Sequence, residues 1–584
     1  MKRAPVFLLL SHLIIAIWGF VRYDVAETDV IQGDGYGYYS YLPGWFEHGD
    51  FYFEFFEELE DTEKPRYWLY PHGKGRAIPK MTMAMALYWM PFYLGAKILA
   101  PVLGYPADGW SQPFQVAVWL AGIIALIIGL WSLWGVLYRR FSGFVSTLTI
   151  LLILLGTNLL HYSLKESSMS HVYSFAMIAV FIAIWDKWRG KNNFSSLIWM
   201  AIVLAIITMI RPTNIIVGIL PLSTLMSSLP HRRQLLQPKS LILPLISILI
   251  FLPQIILWYQ VTGDLLYYSY PGEQFFWTDP NILKGLFSYR NGWLLYTPIM
   301  ALAIVGVPML RKIDKDLTWS ITAIFLIHLY IVFSWWCWYY GDSLSIRPMI
   351  DIYPFLSIPL AAFIAWMIRK RTWLISLVLL FLGGCLFYNG VLHIQYLDQK
   401  LSGSAMTKTA FHEMLFHVKH DGNLGMLGAY RYPDTERLRL GKNERIEMDT
   451  ALLRNIDQLQ IEDSLSFVSE NNRYSQELIT GYDAFETEKG EYLLIRLNLK
   501  SDDQLSSAYI VTSFDQGEHN YGYDNVSLGI FQNTNRSHEY VIRKPRSLPL
   551  GGELSIYVWQ KGEGELELTQ ITLDLVKINY SEPL

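Results

Sequence analysis

Up to residue 397 the chain returns repeatedly to apolar runs of 15 to 25 residues, and beyond that point it stops. Runs of this length match a helix that crosses the roughly 30 Å hydrocarbon core of a bilayer at about 1.5 Å per residue. The clear runs are about 5–22, 114–138, 144–162, 171–187, 194–210, 213–229, 240–260, 295–310, 318–337, 350–368 and 373–394. They predict an α-helical polytopic membrane protein with about eleven transmembrane helices. Composition agrees, because only 17% of the residues are charged, against roughly 25% in ordinary soluble domains. A net charge of −4 gives no argument for a nucleic-acid partner. Cys337 and Cys385 lie in apolar runs and read as small core residues, without metal-ligand spacing or a case for a disulfide. Lys2-Arg3 followed by an apolar run has the outline of a signal peptide. No small-residue cleavage site follows, and Arg22-Tyr23-Asp24 comes directly after, so a retained anchor is expected.

A twelfth apolar stretch, 81–103, is interrupted by Pro91 and Pro101. Basic residues concentrate in cytoplasmic loops near helix ends, which gives a way to place it. If 81–103 does not cross, then Lys2-Arg3, Arg139-Arg140, Lys187 to Lys191, His231 to Arg233, Arg311 to Lys315 and Arg369 to Arg371 all fall on one side. If it crosses, the first cluster is parted from the other five. The expectation is therefore a pair of short interfacial or re-entrant helices at 81–103, a cytoplasmic N-terminus and an extracytoplasmic C-terminus, in a bacterial-type inner membrane.

Residues 398–584 read differently from 1–397. Alternating stretches such as 491–497, 508–512 and 554–559, bounded by Gly, Asn and Asp, predict a jelly-roll-like all-β sandwich outside the membrane. On this topology the outer segments are unusual. The first, 23–113, carries Gly33-Asp34-Gly35-Tyr36 and Tyr70-Pro71-His72-Gly73. Later ones carry Glu166 to Ser174, Arg211-Pro212-Thr213-Asn214, Ser288 to Asn291, and Trp335 to Asp342 running on to Arg347 and Asp351. An ionised side chain deep in a bilayer costs about 2.5–3.5 kcal/mol on insertion scales, so such groups face a polar cavity or a partner. Arg211 and Arg347 are flanked by apolar sequence on both sides. Each alone is explained by snorkelling or a local acid. Together with Asp34 and Glu166 at one membrane face, they point to a shared outward cavity.

In pattern and order, residues 1–397 resemble the GT-C superfamily of membrane glycosyltransferases, which includes protein O-mannosyltransferases and the lipid A aminoarabinose transferase. The resemblance rests on the Gly33-Asp34-Gly35-Tyr36 motif after the first span, Tyr70 to Gly73 leading to Pro91-Phe92, Glu166 to Ser174, Arg211 to Asn214, and Gly341 to Pro348 before a final pair of spans. It departs at the first loop, where no Asp-Glu or Asp-x-Asp pair stands, only Asp34 with Asp29. The resemblance implies a sugar moved from a polyprenyl-phosphate carrier to an outer-face acceptor, with the catalytic acid in the first loop.

Such a transfer needs positive charge on the departing phosphate more than it needs a proton. Arginine binds phosphate oxygens through a planar fork, so Arg347 and Arg211 lead, followed by Lys80 and Arg290. A hydroxyl acceptor needs a base: Asp34 first, Glu166 second. A single base with in-line attack implies inversion. Gly-Asp-Gly is also ordinary turn chemistry, and Glu166 beside Lys165 is also an interfacial ion pair. Tyr36, Tyr38, His171, Trp338 and Asp342 are the candidate contacts to sugar or acceptor, although an interfacial aromatic belt accounts for the rings equally. His72, His171 and Glu166 form the candidate set for a divalent metal, with simple interfacial hydrogen bonding as the alternative. Acceptor protein, glycolipid and polysaccharide all stay open. A transporter or flippase of a lipid-linked saccharide is the rival reading, and the two halves show none of the paired repeats such proteins use. A non-catalytic carbohydrate-binding scaffold leaves the outer charges without a purpose.

Overall fold

The structure is a computed structural model that describes residues 14–397 apart from 61–62, 74, 271–272 and 342. Beyond 400 it describes 401, 403, 406, 408, 411–412, 415, 449–460, 467–468, 474–481, 491–500, 508–516, 519–527, 537–542, 551–560 and 566–579. Among these residues five helices are long and apolar enough to cross a bilayer: Gln112–Tyr138, Pro238–Thr262, Lys315–Ser334, Arg347–Met367 and Thr372–Leu397. A bent pair, Pro212–Ser227 with Leu229–Leu235, makes six if it counts as one span, and three shorter apolar helices add Gly143–Leu155, Phe194–Ile210 and Met300–Arg311. Length and composition of the helices therefore do not reach eleven. Half of the first expected span, 5–22, lies outside the described residues. The outward faces of Pro238–Thr262 and Thr372–Leu397 carry Leu245, Ile248, Leu249, Leu377, Leu380 and Phe387, all exposed. Contiguous apolar surface on that scale is unfavourable in water and unremarkable against lipid.

The chain forms two compact units: residues 1–270, 296–332 and 347–390, and residues 271–295, 333–346 and 391–584. In the first unit, ion pairs draw three of the basic clusters together and a hydrogen bond adds the segment beside a fourth. Arg139 and Arg140 both hold Asp186, and Arg189 holds Asp314. Trp188 Nε1 donates to Gln234 Oε1 at 2.8 Å. The helix His171–Lys191 leaves this end and Phe194–Ile210 starts from it. A 21-residue helix is about 30 Å long, so His171 and Arg211 lie at the opposite end, one bilayer thickness away.

Residues 81–103 depart from expectation. A single 19-residue helix, Ala84–Val102, runs through Pro91 instead of two short ones. An internal proline costs a helix about 3 kcal/mol. Here Met85, Trp89 and Tyr93 are almost fully buried, Trp89 Nε1 donates to Tyr173 at 2.8 Å, and Lys97 Nζ reaches Glu47 at 2.8 Å. Burial of those side chains, at about 1.5–3 kcal/mol each, offsets the proline.

The loop before this helix carries two short helices, Asp34–Tyr39 and Tyr41–Phe46, and an antiparallel hairpin of β1 (Leu69–His72) with β2 (Arg76–Pro79). The hairpin delivers Lys80 directly after its second strand. In the second unit, β5 (Leu478–Gly481), β10 (Glu553–Gln560), β7 (Ala508–Gln516) and β8 (His519–Ser527) form one antiparallel sheet. A second sheet orders β3 (Asp449–Gln460), β11 (Leu566–Asn579), β6 (Glu491–Lys500) and β9 (Ser537–Ile542), with β4 (Phe467–Val468) also on β11. Leu493, Ile495 and Leu497 of one sheet and Ile510, Ile556 and Val558 of the other share a single apolar core. Period-two alternation turns Tyr557 and Trp559 to the other face of β10, where Trp559 meets Tyr474 and Tyr509.

Candidate active site

Asp34 opens the helix Asp34–Tyr39, and both flanking glycines are required there. Gly33 has φ +52°, a left-handed value that side chains resist. A Cβ on Gly35 would stand 2.5 Å from Ser168 Oγ, so the helix sits directly on the Glu166–Ser170 segment. The carboxylate does more than shape this turn, because its Oδ2 lies 3.0 Å from Arg347 Nη2. Burial pushes the Asp34 carboxyl up. Attraction to Arg347, then to Lys80, His171 and Arg211, outweighs it and holds the group below the usual carboxylate range. About a quarter of the side chain, 27%, still faces solvent.

Arg347 begins a 3-10 turn, Arg347–Ile352, that ends around Asp351. Asp351 has no exposed surface. Its Oδ2 is 3.0 Å from Arg211 Nε and accepts from Asn214 Nδ2 at 2.9 Å, while its Oδ1 is 3.3 Å from His171 Nδ1. A buried carboxylate left without partners costs about 3–5 kcal/mol, and two segments, one at His171 and one at Arg211–Asn214, converge to supply them. Arg211 is presented by a helix break: Pro212 forces the preceding residue out of the α region, and Arg211 is extended at φ −146°. Asp351 and Asn214 were not among the residues singled out for chemistry. The signal for Asp351 was present in the run Ile350-Asp351-Ile352, an acid in apolar sequence, but nothing local reveals its partners.

Lys80, 9% exposed, stands with its Nζ 4.7 Å from the centre of the Trp68 ring and 5.1 Å from that of Tyr270. Tyr38 is buried and donates to Ser170 Oγ at 3.1 Å, and Tyr36 lies against Trp110. Glu166 Oε1 is 3.0 Å from His161 Nε2, so His161 partners it. Its Oε2 is buried without a hydrogen-bond partner among the described residues. His72 packs against Tyr267 instead. With His171 on Asp351 and Glu166 on His161, the expected metal set does not assemble; among the described residues no three His, Cys, Asp or Glu side chains do. Arg290 and Trp338 belong to the second unit, where Arg290 stacks on Tyr339 and Trp338 packs beside the same ring. Asp342 lies outside the described residues.

Around Asp34, then, stand three basic side chains, Arg347, Lys80 and Arg211, and one further carboxylate, Asp351. Three positive charges against two negative ones leave the site disposed to take an anion. The two arginines offer planar forks of the kind that bind phosphate oxygens.

No protein-family model matches the chain, and no curated protein does. Among solved structures it is similar to the arabinosyltransferase EmbB from Mycobacterium smegmatis, at 11% identity and a TM-score of 0.33, over 97% of this chain and 64% of that one. This chain thus spans less than two thirds of that protein's length. A likeness at this level decides nothing about chemistry, which rests on the side chains.

Proposed function

We propose that the protein is a membrane glycosyltransferase that takes a hexosyl or pentosyl group from a polyprenyl-phosphate carrier. The acceptor is a hydroxyl on a protein, glycolipid or polysaccharide at the extracytoplasmic face. One observation carries the reading: a carboxylate paired with Arg347, within electrostatic range of Arg211 and Lys80, at the end of the helices away from the basic clusters. A donor anchored in the bilayer reaches such a site laterally. The excess of arginine and lysine at the other end supports reading that end as cytoplasmic.

In the proposed step, the acceptor oxygen attacks the anomeric carbon as the bond from that carbon to the phosphate oxygen breaks. The acceptor proton passes to Asp34, and the electron pair leaves with the phosphate, stabilised by Arg347, Arg211 and Lys80. Direct displacement inverts the anomeric carbon. Asp34 is a weak base while Arg347 holds it. A donor phosphate competes for that guanidinium, and its arrival removes the largest attraction lowering the Asp34 pKa while burial remains. Donor binding thereby makes the base stronger.

Purified full-length protein given a polyprenyl-phosphate sugar labelled in the sugar should release polyprenyl phosphate and pass the label to a hydroxyl acceptor. Turnover of nucleotide sugars, with every polyprenyl-phosphate hexose and pentose left intact, would overturn the reading.

A further inference from the structure

Asp351 is too deeply buried to touch a substrate, yet it is the most heavily engaged carboxylate in the site. Both its oxygens are taken by side chains from separate segments: His171 at the start of one long helix, and Arg211 and Asn214 just past the end of the next. The Arg211 side chain keeps 23% of its surface exposed while Asp351 has none, so Arg211 is the member of the pair that faces outward. The same short turn carries Arg347 four residues earlier, bound to Asp34.

From this geometry we infer that Asp351 is a positioning residue for the lipid-phosphate site. Its carboxylate, 3.0 Å from Arg211 Nε, holds the guanidinium in place by charge, so that an arriving phosphate meets a fork already positioned. Holding His171 at Nδ1 fixes the orientation of that ring as well, with Nε2 on its far side. An arginine without this grip keeps its charge but must give up several rotatable bonds when phosphate binds, which weakens binding. The inference deepens the donor reading and rests on it.

The test uses the full chain in detergent, with polyprenyl phosphate alone as the probe. Binding is measured for the wild type, Asp351→Asn, Arg211→Gln and the double variant, with melting temperature followed alongside and donor KM and kcat measured in the transfer assay. Asp351→Asn should weaken binding and raise donor KM by about tenfold, with kcat changed far less, and should add less than about twofold once Arg211 is already Gln. A purely structural residue would instead lower the folded fraction and leave the KM of the surviving protein unchanged. Its effect would also multiply with that of Arg211→Gln.

Unchanged binding by folded Asp351→Asn, or full multiplication of the two effects, overturns the inference. If the asparagine variant does not fold, Asp351→Glu keeps the charge and displaces it by one methylene, and the same loss of binding is expected. Failure of both to fold assigns Asp351 a structural role alone and also overturns the inference. Wild-type protein that does not bind polyprenyl phosphate removes the donor reading itself, an outcome distinct from wild-type binding that Asp351→Asn leaves intact.

Discussion

Asp34→Asn should lower the rate of sugar transfer by two to four orders of magnitude while leaving donor binding intact or tighter. The amide is the same size as the carboxylate and its oxygen still accepts from Arg347, so the helix packed on Ser168 has no reason to move. It cannot take a proton at neutral pH. Positioned general bases contribute about 10²–10⁴-fold, which sets the expected loss in kcat. The effect on binding has the opposite sign, because the donor phosphate no longer competes with a carboxylate for the guanidinium. Transfer rates and polyprenyl-phosphate affinity measured on one preparation separate the two effects. A fall in kcat of less than about tenfold would remove Asp34 as the base.

Arg347→Gln should fail differently. It deletes a charge-assisted contact to the donor phosphate, and hydrogen bonds to charged groups are worth about 1.5–3 kcal/mol, so donor affinity should drop roughly 10- to 150-fold. The variant also changes the pH profile. In the wild type, attraction to Arg347 is the largest influence holding the Asp34 carboxyl down against burial. The acid limb of kcat/KM for the free enzyme therefore lies below the ordinary aspartate value of about 3.9. Without the guanidinium, burial acts with less opposition and the Asp34 pKa rises, so the acid limb moves to higher pH. Measuring kcat/KM downward from pH 8 tests the sign. A limb that stays in place or moves to lower pH would show that Arg347 does not control the base.

How much of this was legible in the chain depended on whether the signal was local. Apolar runs and period-two alternation are local, and they gave a helical membrane part followed by a β-sheet region. Arg211 stood out for the same reason, since it is a charge flanked by apolar sequence on both sides. Asp34 also stood out, but its glycines read equally as a turn, and only the approach of Ser168 to Gly35 explains why the second must lack a side chain. Pairings across long separations were not legible. Asp351 meets His171 180 positions away and Asn214 137 positions away, and no motif of a few residues encodes that. His72 and Glu166 misled as metal ligands because residue type says nothing about mutual distance. The prolines at 91 and 101 suggested two short helices where tertiary burial carries one through. Pro71 and Pro79 likewise hid the hairpin that places Lys80, since proline argues against strands. The helix Gly143–Leu155 is shorter than its apolar run, 144–162, while Phe194–Ile210 matches its run and has only 17 residues, so both count among the shorter apolar helices of the described residues.

The most direct measurement is the structure of the full-length protein with polyprenyl phosphate bound. The phosphate should sit within hydrogen-bond reach of Arg347 and Arg211 with the Lys80 ammonium turned toward it, and the Asp34 carboxylate should have moved off Arg347 to face the space left for an acceptor. A phosphate held elsewhere, with Asp34 still 3.0 Å from Arg347, would contradict both the donor site and the exchange of partners on which catalysis is argued.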